Sequence, residues 1–299
     1  MRTAALLLFA LLAALPGWTA EDVFAPANRF AWCIVPFDKA KRTPEQRAAM
    51  LAQLGIKGLA YDWRAEHIPT FDAEIAACKA HGISITAWWF PRSLDASAKT
   101  ILATLEKHGV KTQLWVTGGG APTKTPEEQQ QRVANEAARI KPIAEAATAI
   151  GCRVALYNHG AWFGEPDNQI AIIEALKTQG VTNVGIVYNQ HHGHGQVKEF
   201  AALLERMNPH LYALNLNGMF PDGDKVGKKI PPIAQGPLDA ELLRIIRASG
   251  WRGPIGLLNH TDEDAEERLR DNQEGLDWLL AQIDGKVSLP KPVPRSWKP

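Results

Sequence analysis

Residues 183–194, NVGIVYNQHHGH, begin as an apolar, β-branched run and end in Asn189, Gln190, His191, His192 and His194. Imidazoles titrate near neutrality, so they can give or take a proton or bind a metal through a neutral nitrogen. Amides beside them can hold hydroxyl groups through paired donors and acceptors. The same ending recurs in three other runs. VALYNHG at 154–160 delivers Tyr157, Asn158 and His159, LYALNLNG at 211–218 delivers Asn215 and Asn217, and GPIGLLNHTD at 253–262 delivers Asn259 and His260.

A second set lies elsewhere in the chain. YDWRAEH at 61–67 packs Asp62, Arg64, Glu66 and His67 into six residues, Trp88 and Trp89 close another run, Trp115 a further one, and Glu165 follows His159 in the next loop. Tryptophan faces pack against the apolar face of a sugar ring. A carboxyl or imidazole beside a carbonyl can move a proton. The combined inventory points to acid–base chemistry on a polyhydroxylated ligand. His159, Glu66, Asp62, His191 and His192 are the catalytic candidates. Arg64, Trp88, Trp89, Trp115, Tyr157, Glu165, Asn189, Asn215, Asn217, Asn259 and His260 are the substrate-binding candidates.

Each has a plainer reading. A tryptophan can pack between a barrel and its helices, although adjacent strand residues point opposite ways, so one of Trp88 and Trp89 should face the mouth. His194 can cap the next helix, as can the Glu66–His67 pair. Arg64 can serve a structural ion pair with a carboxylate. His81, His108 and His210 fall near helix ends and read as surface residues. Gly118, Gly119 and Gly120 read as a flexible turn.

The elements that must position these residues follow from punctuation. Gly55, Gly82, Gly109, Gly151, Gly180 and Gly250 stand where helices end, and an apolar run follows each. Eight strands are expected, near 30–37, 58–63, 83–90, 111–117, 153–158, 183–189, 211–216 and 253–259. Between them, apolar residues recur at three and four. Parallel strands buried on both faces, with polar residues at their C-terminal ends, predict a single α/β domain, a (β/α)8 TIM barrel with its site at that rim.

The chain has 299 residues, with 33 basic and 32 acidic side chains and a net charge of +1. That balance gives no field for nucleic acid or an anionic membrane. Residues 1–20, an apolar run behind Arg2, read as a signal peptide, which implies a periplasmic or secreted protein free of the membrane after cleavage. The barrel is expected over 21–285 and a proline-rich tail over 286–299. Cys33, Cys78 and Cys152, an odd number, read as buried free thiols.

At its strand ends the sequence resembles the xylose-isomerase-like barrels, the superfamily of sugar isomerases and epimerases and of endonuclease-four type DNA-repair enzymes. The likeness covers roughly residues 30–284. YDWRAEH, YNHGAWFGEP, YNQHHGH and NLNGM further resemble an exported subgroup of sugar-isomerase-like proteins, which supplies a class and not a reaction. The resemblance implies a divalent metal held by Glu, Asp, His and Glu at the ends of strands five to eight. The matching positions here are Tyr157, Asn189, Asn215 and Asn259, none of them a carboxylate. Neutral amides are poor ligands for hard cations. Two outcomes stay open. Either no cofactor is held, or His159, His191 or His192, and His260 rebuild a site suited to a transition metal such as zinc.

The expectation is therefore an exported sugar isomerase, epimerase or lyase working beside a carbonyl. The alternative is a carbohydrate-binding barrel without catalysis. A DNA-repair role would need more metal ligands and a basic groove.

Overall fold

Eight parallel strands close on themselves in sequence order, β1 to β8, with β1 pairing to both β2 and β8. The computed structural model of the protein describes residues 22–286 and 290–298, and the expected leader at 1–20 lies outside the described residues. The strands are β1 (Arg29–Trp32), β2 (Gly58–Tyr61), β3 (Ser84–Phe90), β4 (Gln113–Val116), β5 (Arg153–Tyr157), β6 (Val184–Asn189), β7 (Leu211–Leu216) and β8 (Ile255–Leu258). Each falls inside or next to its expected run, and only the ends are shorter, where polar rim residues leave the ladder.

The helices alternate with them: α1 (Pro44–Gln53), α2 (Phe71–Ala80), α3 (Ala96–His108), α4 (Pro126–Ala149), α5 (Ala161–Gly164), α6 (Pro166–Lys177), α7 (Phe200–Met207), α8 (Asp239–Ala248) and α9 (Ala265–Ile283). Their starts are written locally. The Thr43 hydroxyl accepts from the Gln46 amide while the Gln46 side chain returns to the Thr43 amide, a capping box. Thr125 caps α4, and Pro142 lies within that helix without ending it. Gly109 closes α3 at φ 64°, a conformation glycine adopts without a steric penalty.

Strand alternation divides the apolar residues into two layers. Phe30, Trp32, Ala60, Ala87, Trp115, Ala155, Tyr157, Val187, Ala213 and Leu258 fill the barrel interior. Leu59, Tyr61, Trp88, Leu114, Leu156, Ile186, Leu214 and Leu257 face the helices. The large interior rings come from β1, β4 and β5, and alanines leave room for them, so the lower barrel is plugged. What remains for a ligand is the C-terminal rim.

Two further segments close the structure. The loop after β7 folds over the rim: Gly218 N donates to Pro231 O and Ile233 N to the Asn272 side chain. The tail lies along α9, where Arg295 pairs with Asp271 and Glu274. Cys33, Cys78 and Cys152 are free and buried.

Candidate active site at the barrel mouth

The floor of the mouth is aromatic. Trp32 meets Trp115 edge-on at 4.6 Å, and Tyr157 lies 5.0 Å from Trp89 and 5.9 Å from Trp32. Trp32 Nε1 donates to the Tyr157 hydroxyl at 3.3 Å. Trp115 is fully buried beneath this layer, its indole N–H donating to Gln113 Oε1, so it supports the floor and does not touch the mouth. Trp89 is half-buried and faces inward. Trp88 does not: it packs edge-on to Phe71 and 4.5 Å from Tyr61, in the layer under the helices. Of the two binding candidates Trp88 and Trp89, the mouth therefore keeps Trp89 alone, because a strand cannot send neighbouring side chains to one face.

Asp62, at the end of β2, is buried. Its Oδ1 accepts from Val35 N at 3.2 Å, and its Oδ2 has no partner. Burial raises its carboxyl to about 7, against the opposing pull of the Arg64 guanidinium. Cys33 lies beside it at φ 60°, a left-handed conformation uncommon for a residue with a Cβ. Burial, with the Asp62 carboxyl adding to it, pushes the Cys33 thiol well up.

Opposite stands a ladder of amides. Asn215 Nδ2 donates to Asn189 Oδ1 at 2.6 Å, and Asn189 N and Nδ2 donate to Asn158 Oδ1 at 2.8 and 3.1 Å. The backbone oxygen of Asn189 accepts from Asn158 Nδ2 at 3.1 Å. Asn215 Oδ1 and Asn217 Oδ1 are left buried and unpartnered. β8 admits this ladder only because Gly256 has no side chain, since a Cβ there would stand 1.8 Å from Asn215 Oδ1. Asn259 is fully buried, and both its amide atoms lack partners.

Above the ladder the imidazoles form a crescent. His159 and His192 are 4.6 Å apart, His192 and His191 3.7 Å, His191 and His260 5.7 Å, and His260 and Phe37 4.1 Å. Arg64 caps the far end, its guanidinium 5.3 Å over the Phe37 ring. Both nitrogens of His191, Nε2 of His192 and Nδ1 of His260 are buried without partners. Burial first, and then the neighbouring cations, keep these rings neutral. His191 falls well below the usual imidazole range, His192 to about 3, His260 to about 4, and His159 is lowered too. Lys229, from the loop after β7, acts on all four.

Several candidates lie elsewhere. Glu66 is exposed and lines an outer cleft of about 440 Å³ with Arg47, His67 and Glu74. His67 accepts from Arg64 N at 2.9 Å, a helix-capping role. Glu165 is exposed, accepts from Gln196 Nε2 at 2.6 Å, and lines a separate cleft of about 570 Å³. His194 caps no helix. Its ring nitrogens meet Phe220 O at 3.4 Å and Lys229 O at 3.0 Å, which fastens the loop after β7.

The residues at the four implied metal positions do not fit a divalent cation. Tyr157 offers a phenol that burial keeps protonated, Asn189 spends its amide on Asn158 and Asn215, and Asn215 and Asn259 bring neutral amides where the resemblance implies His and Glu. The histidines do not rebuild the site, because among the described residues no three His, Cys, Asp or Glu side chains converge as metal ligands.

Sequence reasoning did not assign Trp32, Cys33, Phe37 or Lys229 to this site, and it named Asn158 at its strand end without giving it a role. Asn158 was legible, since it sits between Tyr157 and His159 at a strand end. Lys229 shares its loop with Lys225 and Lys228, and spacing does not say which lysine stands near the imidazoles.

The sequence model of the xylose isomerase-like TIM barrel family matches residues 48–282. No curated protein sequence matches. Among solved structures, the 3-keto-D-glucoside 4-epimerase YcjR from E. coli is 14% identical with a TM-score of 0.61, covering 85% of this chain and 99% of that one. The IOLI protein, solved with a zinc atom, is 14% identical at a TM-score of 0.62, with 85% and 98% covered. A D-psicose 3-epimerase solved in the presence of D-fructose is 14% identical at 0.59, with 86% and 98% covered. At such identities the likeness is one of fold.

Proposed function

Because this chain belongs to the xylose isomerase-like TIM barrel family, we propose that it is a sugar-processing enzyme that moves a proton beside a carbonyl at the barrel mouth. The reaction class is isomerisation, epimerisation or β-elimination. The observation that carries the reading is Asp62: a buried carboxyl with a free oxygen, held at about 7, beside Cys33, which packs with Trp89 and Tyr157 in the barrel interior. A proton-transfer group works best with its affinity near the ambient pH. Trp89 and Tyr157 receive the apolar sugar face. Asn215 Oδ1 and Asn217 Oδ1 accept from hydroxyls, and Arg64 orients one edge. His159, the most exposed of the crescent, and His191 and His192 relay protons as neutral imidazoles.

No step is routed through a metal, since the amide ladder stands where anionic ligands would be required. That same ladder favours a second reading, a carbohydrate-binding barrel that has lost its chemistry. The signal-peptide pattern of residues 1–20 supports export of either form. Among the described residues no helix is long and apolar enough to cross a membrane. The near-zero net charge argues against nucleic acid as the partner.

The test is turnover of D-fructose, D-psicose and 3-keto-D-glucose, followed by NMR of the products. Turnover by the wild type that falls at least 100-fold in Asp62→Asn and measurably in His159→Gln supports the assignment. Binding without turnover moves it to the second reading, and absence of both ends it.

A further inference from the structure

The mouth carries an uneven balance of charge. Lys229 acts on all four imidazoles from the loop after β7, and that loop is pinned in place, with Lys229 O accepting from Asn217 Nδ2 at 3.2 Å and meeting His194 Nε2 at 3.0 Å. Ile230, the next residue, packs on the barrel interior, so the loop holds Lys229 over the rim. Lys225, four residues upstream, pairs with Asp222. Among the described residues Lys229 has no carboxylate partner. Arg64, at the other end of the crescent, donates only to the backbone oxygens of Asp62 and Trp63. Two cations therefore stand at the site, and among the described residues neither makes an ion pair.

The acids nearby do not cancel them. The Asp62 carboxyl is largely protonated below pH 7. Asp262 is exposed, and of the four imidazoles it acts on His260 alone, as the weakest influence there. Between the cations lie unpartnered nitrogens of His191, His192 and His260, all buried. A neutral imidazole offers one N–H donor, and donors of that kind bind an oxyanion strongly when flanked by fixed positive charge.

We propose that the preferred ligand is a carbohydrate bearing an anionic group, a carboxylate or a phosphate, seated over the imidazole crescent between Lys229 and Arg64. The inference rests on the carbohydrate reading above and narrows it to sugar acids and sugar phosphates. The ring lies on Trp89 and Tyr157, and the anion takes the place of the missing counter-charge.

Calorimetric titration of the full chain tests this, with D-glucose, D-galactose and D-fructose compared with D-glucuronate, D-galacturonate and D-fructose 6-phosphate, and with acetate and inorganic phosphate as sugar-free anions. At least one charged sugar should bind tenfold or more tighter than its neutral parent. That preference should weaken with salt and shrink to under threefold in Lys229→Met and Arg64→Met, while Arg64→Lys retains part of it. The uronates and the phosphate tell which anion is taken. Equal affinity for charged and neutral sugars overturns the inference and leaves the carbohydrate reading standing. A preference that survives both methionine variants also overturns it. Acetate or phosphate binding as tightly as the charged sugars, or no binding at all, overturns both.

Discussion

Asn215 donates to the Asn189 side chain at 2.6 Å, and the two residues face each other in register across β6 and β7. Asn189 passes the interaction on to Asn158. Three neutral amides are thus linked in a row, and two of them, Asn189 and Asn215, stand where the resemblance implies metal ligands. Asn189→Asp breaks the ladder, because a carboxylate cannot donate to Asn158 Oδ1 and sets two acceptors face to face. Leaving a buried polar group unpaired costs about 1–3 kcal/mol. Urea unfolding should show a loss of that size, and unchanged stability would mean that the ladder contributes nothing.

Gly256→Ala probes the same ladder from its neighbour strand. The added methyl would stand 1.8 Å from Asn215 Oδ1 and 2.7 Å from Phe30 Cζ. Overpacking of this kind costs about 1–3 kcal/mol. The variant should also weaken sugar binding, since Asn215 must turn away. A variant as stable as the wild type would show that the barrel yields there at no cost.

Trp88 and Trp89 should separate stability from binding. Trp88→Ala empties a fully buried site under the helices and is expected to cost about 3–5 kcal/mol. Trp89→Ala, on a half-buried ring at the mouth, should cost less stability and lower sugar affinity at least tenfold. Thermal melts and titration on both variants check this, and the reverse pattern would contradict the inward assignment of Trp89.

The neutral crescent makes the fold acid-sensitive. An unfolded histidine takes up its proton below about 6.5, whereas the folded rings resist until about 4 for His260 and about 3 for His192. The folded chain then binds fewer protons, so stability falls as pH drops through that window. Asp62 and Asp239, raised to about 7, work the other way. Their contribution is present below 3.8 and is lost as pH rises through 7. Comparing the wild type with His191→Gln isolates the histidine part. Between pH 7.5 and 5 the wild type should lose more stability than the variant, by at most about 2 kcal/mol, given about 1.4 kcal/mol per unit. Equal losses in urea midpoints would show that His191 is free to charge in the fold.

Much of this architecture was written in the sequence. Glycines past helix ends and buried β-branched runs give the eight strands and their order, and polar strand ends give the rim. The histidines of three different strand ends do meet. The limits have a physical cause. Which side chain faces inward depends on alternation within one residue, which moved Trp88 under the helices. Loop residues carry no period, so Glu66 and Glu165 were grouped with the rim although their side chains line outer clefts, and the lysines of the loop after β7 could not be told apart.

The central claim is that Asp62 exchanges a proton with carbon beside a carbonyl at this mouth. NMR of D-fructose, D-psicose and 3-keto-D-glucose incubated with the protein in D2O reads that step without knowledge of the product. Deuterium should enter the position next to the carbonyl with the wild type and at least 100-fold more slowly with Asp62→Asn. A ketose that binds at the mouth yet gains no deuterium, or gains it equally with the variant, would contradict the account.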